Sequence, residues 1–134
     1  MQRLRDDPRL AWLEQPLAVE DQAGLEQLAA LGPVALDESL VHHPELCCSW
    51  SGWQVRRPVL EGDPRVLLRE LQMGVPQRML STAFETGIGR RWVHHLAGLQ
   101  WAGPMPAAPG LAPGWFPPGP LFSREPDQVW QAAL

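Results

Sequence analysis

The stretch that decides the fold is VALDES at residues 34–39, where three apolar residues run directly into three polar ones. A similar change from a mainly apolar run to polar residues occurs in AWLEQP at 11–16, in WQVRRP at 53–58 and in MLSTAFE at 79–85. Short apolar runs of this kind are typical of strands that are buried on both faces, as in a parallel sheet. We therefore predict four strands, each followed at its carboxyl end by charged or hydroxyl-bearing residues.

Segments with helical spacing or helix boundary signals lie between and after the strands. Helices are predicted over Asp21–Leu31, Pro44–Trp50, Asp63–Gly74, Gly87–Leu99 and Pro126–Leu134. Asp63 and Pro64 form a strong helix start, because Asp favours the N-cap and Pro the first helical position. In that helix we expect Val66, Leu67 and Leu71 to face inward.

The alternation of strands and helices predicts parallel strands joined by right-handed crossovers. A doubly wound sheet and a barrel both satisfy this order. The polar residues favour a barrel, since Glu14, Asp37, Arg57 and the cluster at 81–85 each follow a different strand. In a barrel these ends converge on one mouth, whereas in an open sheet they spread along an edge. We therefore expect an α/β fold of the TIM type.

The number of strands is too small for a closed barrel. A (β/α)₈ barrel has eight strands and typically about 250 residues, whereas this chain has 134 residues. Beyond the four strands, a fifth is predicted near Met105–Ala107. We expect residues 1–134 to form one partial barrel domain, with a Pro- and Gly-rich segment at 103–134 that ends in a short helix. Open strand edges would then favour self-association or pairing with a partner.

Composition excludes several functional classes. The formal net charge is −4, and the 11 basic residues include no Lys and form no basic tail, so a nucleic-acid partner is not expected. No apolar run approaches the roughly 20 residues of a membrane span. The two cysteines are adjacent, and neighbouring cysteines rarely form a disulfide. A reducing, cytoplasmic location fits these features.

Two carboxylates are candidates for a metal site. Glu14 and Asp37 follow successive strands, so on adjacent barrel strands they would point into the same mouth. Oxygen ligands of this kind suit Mg²⁺. The alternative is a pair of helix-capping or solvated acids. Two carboxylates also make an incomplete site, so a third ligand is expected from elsewhere.

Two further features could bind an anionic substrate. Arg56 and Arg57 end the third strand, and one of them should point inward; we assign that role to Arg57, with a solvated pair as the alternative. Residues 81–89 place hydroxyl groups and small residues before a helix N-terminus, where free N–H groups can hold a carboxylate or phosphate. The alternative there is an ordinary helix cap.

Six short motifs resemble a known family. They are WLEQPL at 12–17, ALDES at 35–39, RPVLEG at 57–62, STAFE at 81–85, ETGIG at 85–89 and PGL at 109–111. Together they resemble the enolase superfamily of the muconate-lactonising type, and within it most closely the o-succinylbenzoate synthases. The resemblance extends from about Leu10 to Trp130.

The resemblance implies a fold, a cofactor and a reaction. The chain would supply about strands 4 to 8 of the barrel, and Glu14 and Asp37 would be the fourth- and fifth-strand ligands of Mg²⁺. Family members dehydrate a succinyl-hydroxycyclohexadiene carboxylate to o-succinylbenzoate, on the route to menaquinone and phylloquinone. A small-molecule carboxylate is therefore the implied substrate.

The resemblance also assigns residues to the substrate pocket. Ser81, Thr82 and Glu85 would lie near the carboxylate or the succinyl tail of the substrate. Gly110 would line the pocket at the end of the eighth strand, and Arg57 would present a cation to the developing anion.

The chain departs from the family pattern in three respects. The family's Lys-x-Lys strand, its third-strand Asp ligand and its capping domain would all precede Met1. The family's sixth-strand Lys-Pro is Arg57-Pro58 here, and an Arg with a pKa above about 12 is a poor base. The isolated chain is therefore expected to be inactive. The alternatives are another enolase-superfamily enzyme, such as a dipeptide epimerase or a cycloisomerase, and a non-catalytic half-barrel that assembles with a partner.

Overall fold

The computed structural model describes Asp7 and residues 9–134. The chain divides into two compact units, Met1–Arg56 and Arg57–Leu134. Both units are α/β, and the strand pairing within each of them is parallel. The predicted α/β class and the predicted parallel pairing are thus confirmed, whereas closure as part of a TIM-type barrel stays a prediction.

The described residues of the first unit form three strands and three helices. In chain order these are β1 (Leu13–Glu14), α1 (Gln22–Ala29), β2 (Val34–Leu36), α2 (Glu38–His42), α3 (Leu46–Ser49) and β3 (Trp53–Arg56). The strands lie in the order β1-β2-β3, with Leu13 opposite Val34 and Ala35 opposite Trp53. This parallel register places the carboxyl ends of the three strands at one edge.

The helices of the first unit cover one face of its sheet. Val34 and Leu36 of β2 pack against Leu25 of α1 and Leu40 of α2, and all four side chains are buried. Because successive strand residues point to opposite faces, Ala35 points to the other face, where it is fully buried. The apolar run of β2 therefore has partners on both sides, as a parallel strand requires.

Two boundaries in the first unit differ from the predicted ones. The first strand starts at Leu13 rather than Ala11 and has only two residues. The segment Glu38–His42 is helical although no helix was predicted there, because five residues are too few to show a helical period. The helix predicted over Pro44–Trp50 is only the short α3.

The second unit contains one named strand, three α-helices and a 3₁₀ helix. They are α4 (Pro64–Met73), β4 (Arg78–Leu80), α5 (Gly87–Trp101), the 3₁₀ helix Pro120–Phe122 and α6 (Pro126–Ala133). The core forms around Leu67 and Leu71 of α4, Leu80 of β4 and Leu96 of α5. The helices predicted to start at Asp63 and Gly87 and the short C-terminal helix are confirmed.

The N-cap of α4 follows the prediction. The Asp63 carboxylate accepts a hydrogen bond from the Arg65 amide at 3.0 Å and another from the Arg65 guanidinium at 2.8 Å. The Arg65 side-chain hydrogen bonds lower the pKa of Asp63 to about 2. Leu67 and Leu71 are buried as expected, but Val66 is 41 % exposed. The prediction for Val66 was wrong because the buried stripe follows the four-residue spacing of Leu67 and Leu71, and Val66 lies beside that stripe.

The fifth strand predicted near Met105–Ala107 is absent. A single parallel bridge forms instead at Gly110, a few residues further along the chain. Pro104, Pro106 and Pro109 lack backbone N–H groups, so this segment cannot form a regular ladder. Immediately after the last of these prolines, the Gly110 amide donates to the Leu80 carbonyl at 2.8 Å. The result is one parallel bridge between Ser81 and Gly110.

Among the residues that the structure describes, no helix combines the length and the apolar character that a membrane crossing requires.

We predict that Gly87→Ala destabilises the protein and that Gly98→Ala does not. A Cβ at Gly87 would lie 1.7 Å from the Ser123 carbonyl oxygen, whereas a Cβ at Gly98 of the same helix would meet open space. We expect Gly98→Ala to raise the free energy of unfolding by about 0.5–1 kcal/mol, since Ala is the better helix former. Gly87→Ala should lower it by more than about 2 kcal/mol. Chemical denaturation of both variants measures the difference, and equal effects would contradict the close approach at Gly87.

Candidate functional site

Glu14 and Asp37 lie on the same face of the sheet in the first unit. Glu14 is opposite Ala35 in the parallel register, and residues that pair in this way point to the same side. Asp37 is two residues after Ala35, so its side chain also leaves the sheet on that side. This is the face opposite the helix-packed Val34 and Leu36. Asp37 is 2 % exposed and Glu14 is exposed.

Gln15 fixes the backbone between the two carboxylates. Its side-chain oxygen accepts hydrogen bonds from the amides of Asp37, at 3.1 Å, and Ser39, at 3.2 Å. Its side-chain nitrogen donates to the Ser39 hydroxyl at 2.8 Å and to the Leu17 carbonyl at 3.0 Å. Its own amide donates to the Ala35 carbonyl at 2.8 Å. One side chain thereby ties the end of β1 to the start of α2.

Gln15 also has a backbone conformation that needs this support. Its φ is +38°, in the left-handed region that non-glycine residues seldom occupy. Such a conformation costs on the order of 1 kcal/mol and persists only where surrounding contacts hold it. Strained residues of this kind cluster at functional sites. The turn after β1 is therefore shaped by contacts rather than by local preference.

An aromatic pair lies at the amino end of the face that bears Glu14 and Asp37. The rings of Trp12 and Trp53 stack with centroids 4.5 Å apart and an angle of 29° between their planes. Trp53 is opposite Ala35, whose methyl side chain is small enough to let the two indoles meet across β2. The face that bears the two carboxylates thus also carries an aromatic pair.

The two arginines at the end of β3 differ in environment. Arg56 is 2 % exposed, and its guanidinium donates to the side-chain oxygen of Gln54 at 3.3 Å. Gln54 in turn donates to the carbonyls of Cys47 and Trp50, at 3.2 and 3.0 Å. Because Gln54 is opposite Leu36, both polar side chains lie on the helix-covered face. Arg56 is therefore buried within the fold.

Arg57 is half-buried and belongs to the second unit. Its guanidinium donates a hydrogen bond to the backbone carbonyl of Thr82. The predicted cation and the predicted hydroxyl loop are therefore in direct contact. Whether Arg57 binds a substrate stays a prediction.

Ser81 and Gly110 are joined by hydrogen bonds in the second unit. The Ser81 hydroxyl donates to the Gly110 carbonyl at 3.1 Å, and the Thr82 amide donates to the same oxygen at 3.1 Å. A Cβ at Gly110 would lie 3.1 Å from the Ser81 hydroxyl oxygen. Any larger side chain at position 110 would therefore crowd Ser81.

Thr82 and Glu85 close a tight loop before α5. The Thr82 hydroxyl is 3.1 and 3.0 Å from the two carboxylate oxygens of Glu85, and the Ala83 amide donates to Glu85 at 2.7 Å. The Phe84 amide donates to the Thr82 hydroxyl at 3.0 Å, and Phe84 has a φ of +57°. Glu85 is thus used to hold its own loop. Thr86 caps α5, since its hydroxyl accepts from the Gly89 amide at 3.3 Å.

The predicted site residues fall into two groups. Glu14 and Asp37 lie on one face of the first unit, and the other five cluster in the second unit: Arg57, Ser81, Thr82, Glu85 and Gly110. Within the described residues, no group of three or more His, Cys, Asp or Glu side chains is placed to hold a metal ion. Glu14 and Asp37 carry carboxylate oxygens of the kind that a hard cation prefers, and a Mg²⁺ site that they share stays a prediction. Its remaining ligands would have to come from water or from another segment.

Sequence reasoning missed Gln15 and the Gln54–Arg56 pair. Gln15 lies directly after a predicted strand and before Pro16, a position where the chain must turn, and this was the available signal. Gln54 and Arg56 are two residues apart in an otherwise apolar strand. That spacing places them on one face and indicates a buried hydrogen-bonded pair.

No protein-family model, curated protein or solved structure matches this chain. The resemblance of its motifs to the o-succinylbenzoate synthases thus stays a prediction from the sequence.

We predict that Gln15→Ala lowers the free energy of unfolding by about 2–3 kcal/mol. The substitution leaves the amides of Asp37 and Ser39 without their acceptor, and an unsatisfied buried donor costs about 1–3 kcal/mol. The matched control is Gln72→Ala, at an exposed position in α4, which should change stability by less than about 0.5 kcal/mol. Urea denaturation measures both variants. We call the hydrogen bonds of the Gln15 side chain to Asp37, Ser39 and Leu17 the Gln15 clamp. If Gln15→Ala lowers the free energy of unfolding no more than Gln72→Ala does, the clamp does not stabilise the protein.

Proposed function

We propose that the chain forms part of a (β/α)₈ barrel enzyme of the o-succinylbenzoate synthase type. The enzyme would dehydrate a succinyl-hydroxycyclohexadiene carboxylate to o-succinylbenzoate with the help of Mg²⁺. The observation that carries the proposal is the placement of Glu14 and Asp37 at the carboxyl ends of two paired parallel strands, on the face opposite the helices. In barrels that face is the interior, and active sites lie at that end of the strands.

The carboxylate pair would hold the cation. Glu14 and Asp37 provide hard oxygen ligands, and the Gln15 clamp fixes the backbone between them. Bound Mg²⁺ would stabilise the negative charge that forms when a proton is removed next to a substrate carboxylate. Asp37 is the more restrained ligand, since it is buried, whereas exposed Glu14 can adjust its position. A third ligand would come from a further barrel strand.

Arg57 and the loop at 81–85 would contribute contacts to the organic part of a substrate. Arg57 would supply a fixed positive charge, because its hydrogen bond to the Thr82 carbonyl orients the guanidinium. An Arg does not readily remove protons at neutral pH, so the base would come from the strands that complete the barrel. The Ser81 and Thr82 hydroxyls bond to Gly110 and Glu85 in this structure, so they would have to turn away from these partners to contact a substrate. Glu85 would act by holding this loop in shape.

The unpaired edge of β1 supports the proposal that a further segment or chain completes the barrel. Among the described strands, β1 pairs on one side only, with β2, so its other edge can accept a further parallel strand. A segment or chain that adds this strand would also add ligands and the base. The pairing alone would equally suit a non-catalytic assembly of two copies, which a size measurement distinguishes from the heterologous assembly.

We predict that dehydratase activity requires complementation. The purified chain with Mg²⁺ should show no turnover. When it is co-expressed with the capping domain and first barrel strands of an o-succinylbenzoate synthase, Mg²⁺-dependent formation of the aromatic product should appear as an absorbance change. Activity that appears with a dipeptide epimerase substrate instead would place the chain in another group of the superfamily.

The matched variants for this assay are Asp37→Asn and Glu38→Gln. Asp37 is the buried carboxylate at the strand end, and Glu38 is its exposed neighbour in α2. In the complemented enzyme Asp37→Asn should lower turnover by more than about 100-fold, since loss of even an outer partner of a metal ligand costs 10–100-fold. Glu38→Gln should leave turnover within about twofold. If the two variants behave alike, or if no complemented mixture turns over, the proposal is wrong.

A further inference from the structure

A cavity of about 570 Å³ lies along α5 in the second unit, and its lining includes none of the residues assigned to the metal or the substrate. One wall is formed by α5 residues 87, 90, 91, 94 and 95, and the other by residues 122–125. The α5 positions follow the spacing of one helical face. On a face packed against another element this stripe would be apolar, but here it consists of one Gly, two Arg and two His. We refer to this space as the α5 cavity.

Positive charge is concentrated around the α5 cavity. Three guanidinium groups line it, those of Arg90, Arg91 and Arg124, against the single carboxylate of Glu125. The whole chain has a net charge of −4, so the cavity has the opposite sign to the protein. In the part of the chain that the structure describes, neither Arg91 nor Arg124 forms an ion pair with a carboxylate.

Arg90 is held in place at the cavity wall. Its guanidinium carbon lies 3.1 Å from the centroid of the Phe116 ring, and its Nε is 3.4 Å from Nε2 of His94. Burial lowers the pKa of Arg90, and the nearby charge of Arg124 lowers it further, while Glu85 acts in the opposite direction. The fold therefore keeps one partly desolvated guanidinium close to a second one. An anion between them would relieve both costs.

The shape and chemistry of the cavity define the class of ligand. Guanidinium groups form paired, charge-assisted hydrogen bonds with phosphate oxygens. Three guanidinium groups around the α5 cavity suit an anion whose oxygens are carried by more than one phosphorus atom. The volume is in the range of small-ligand pockets, about 300–1,000 Å³, and Phe122 adds an apolar surface.

We propose that the α5 cavity binds a diphosphate group, through Arg90, Arg91 and Arg124. The diphosphate is either free or carried by a nucleoside, whose base would contact Phe122. The site is separate from the proposed dehydratase chemistry, because none of its residues is among those assigned to the metal or the substrate. A negative result for diphosphate binding would therefore not bear on the proposed dehydratase function, and the reverse also holds.

Calorimetric titration of the full chain at low salt tests the proposal, with inorganic pyrophosphate and ADP as the two probes. Arg124→Gln and Arg91→Gln should each weaken binding by about tenfold or more, since each removes charge-assisted hydrogen bonds. The matched control is Arg69→Gln, because Arg69 is exposed on α4 and does not line the cavity. Its affinity should stay within about twofold of that of the unaltered chain, apart from a small change in long-range charge.

The outcomes separate the sources of the ligand. Binding of both probes supports a site for the diphosphate group itself, and binding of ADP alone supports a nucleotide site. No measurable heat with either probe overturns the proposal, and so does equal weakening by Arg69→Gln and Arg124→Gln. Arg91 and Arg124 are exposed, so both variants should keep the thermal unfolding midpoint of the unaltered chain. Two independent variants keep the test valid if one of them unfolds.

Discussion

The parallel pairing of β1, β2 and β3 is the constraint on which the structure of the first unit depends. The register of Leu13 with Val34 and of Ala35 with Trp53 fixes which side chains share a face. It puts Val34 and Leu36 under the helices, and it puts Glu14 and Asp37 on the opposite side. A shift by one residue would exchange the two faces and bury carboxylates among the helices at a large energetic cost. The apolar core and the acidic pair thus result from the same register.

Much of this arrangement could be predicted from the sequence. The unbroken apolar run at 34–36 identified β2, because a strand buried on both faces has no polar alternation. The run at 53–55 identified β3 although Gln54 interrupts it. Asp63 and Gly74 marked the ends of α4 by capping preferences that act locally. The fifth strand was predicted near Met105–Ala107, where three prolines remove N–H donors, and the parallel bridge forms instead at Gly110, which the resemblance had placed at a strand end. The Gln15 clamp was missed because its partners lie 22–24 residues away and its positive φ has no local signal.

In the candidate site, too, features that depend on neighbouring residues could be predicted, whereas features that depend on contacts between distant residues could not. The polar residues that follow the strands are visible in the sequence, and two of them, Arg57 and Thr82, are in contact. The roles of individual side chains depend on distant contacts. Arg57 was expected to point inward and Arg56 outward, and the burial of Arg56 with Gln54 was not predicted. Glu85 was expected near a substrate, yet it holds its own loop through Thr82 and Ala83. The α5 cavity was not predicted either, because Arg124, which lines it together with His94 and His95, is distant from them in the sequence.

The most direct test of the central claim is a titration of the ¹⁵N-labelled chain with Mn²⁺, followed by nuclear magnetic resonance. We predict paramagnetic broadening centred on the amides of Glu14, Gln15, Asp37 and Ser39, and its reversal by excess Mg²⁺. The broadening should be lost in Asp37→Asn and retained in Glu38→Gln. Broadening that persists in Asp37→Asn, or that is centred on another part of the chain, would contradict the claim that Glu14 and Asp37 form one cation-binding edge.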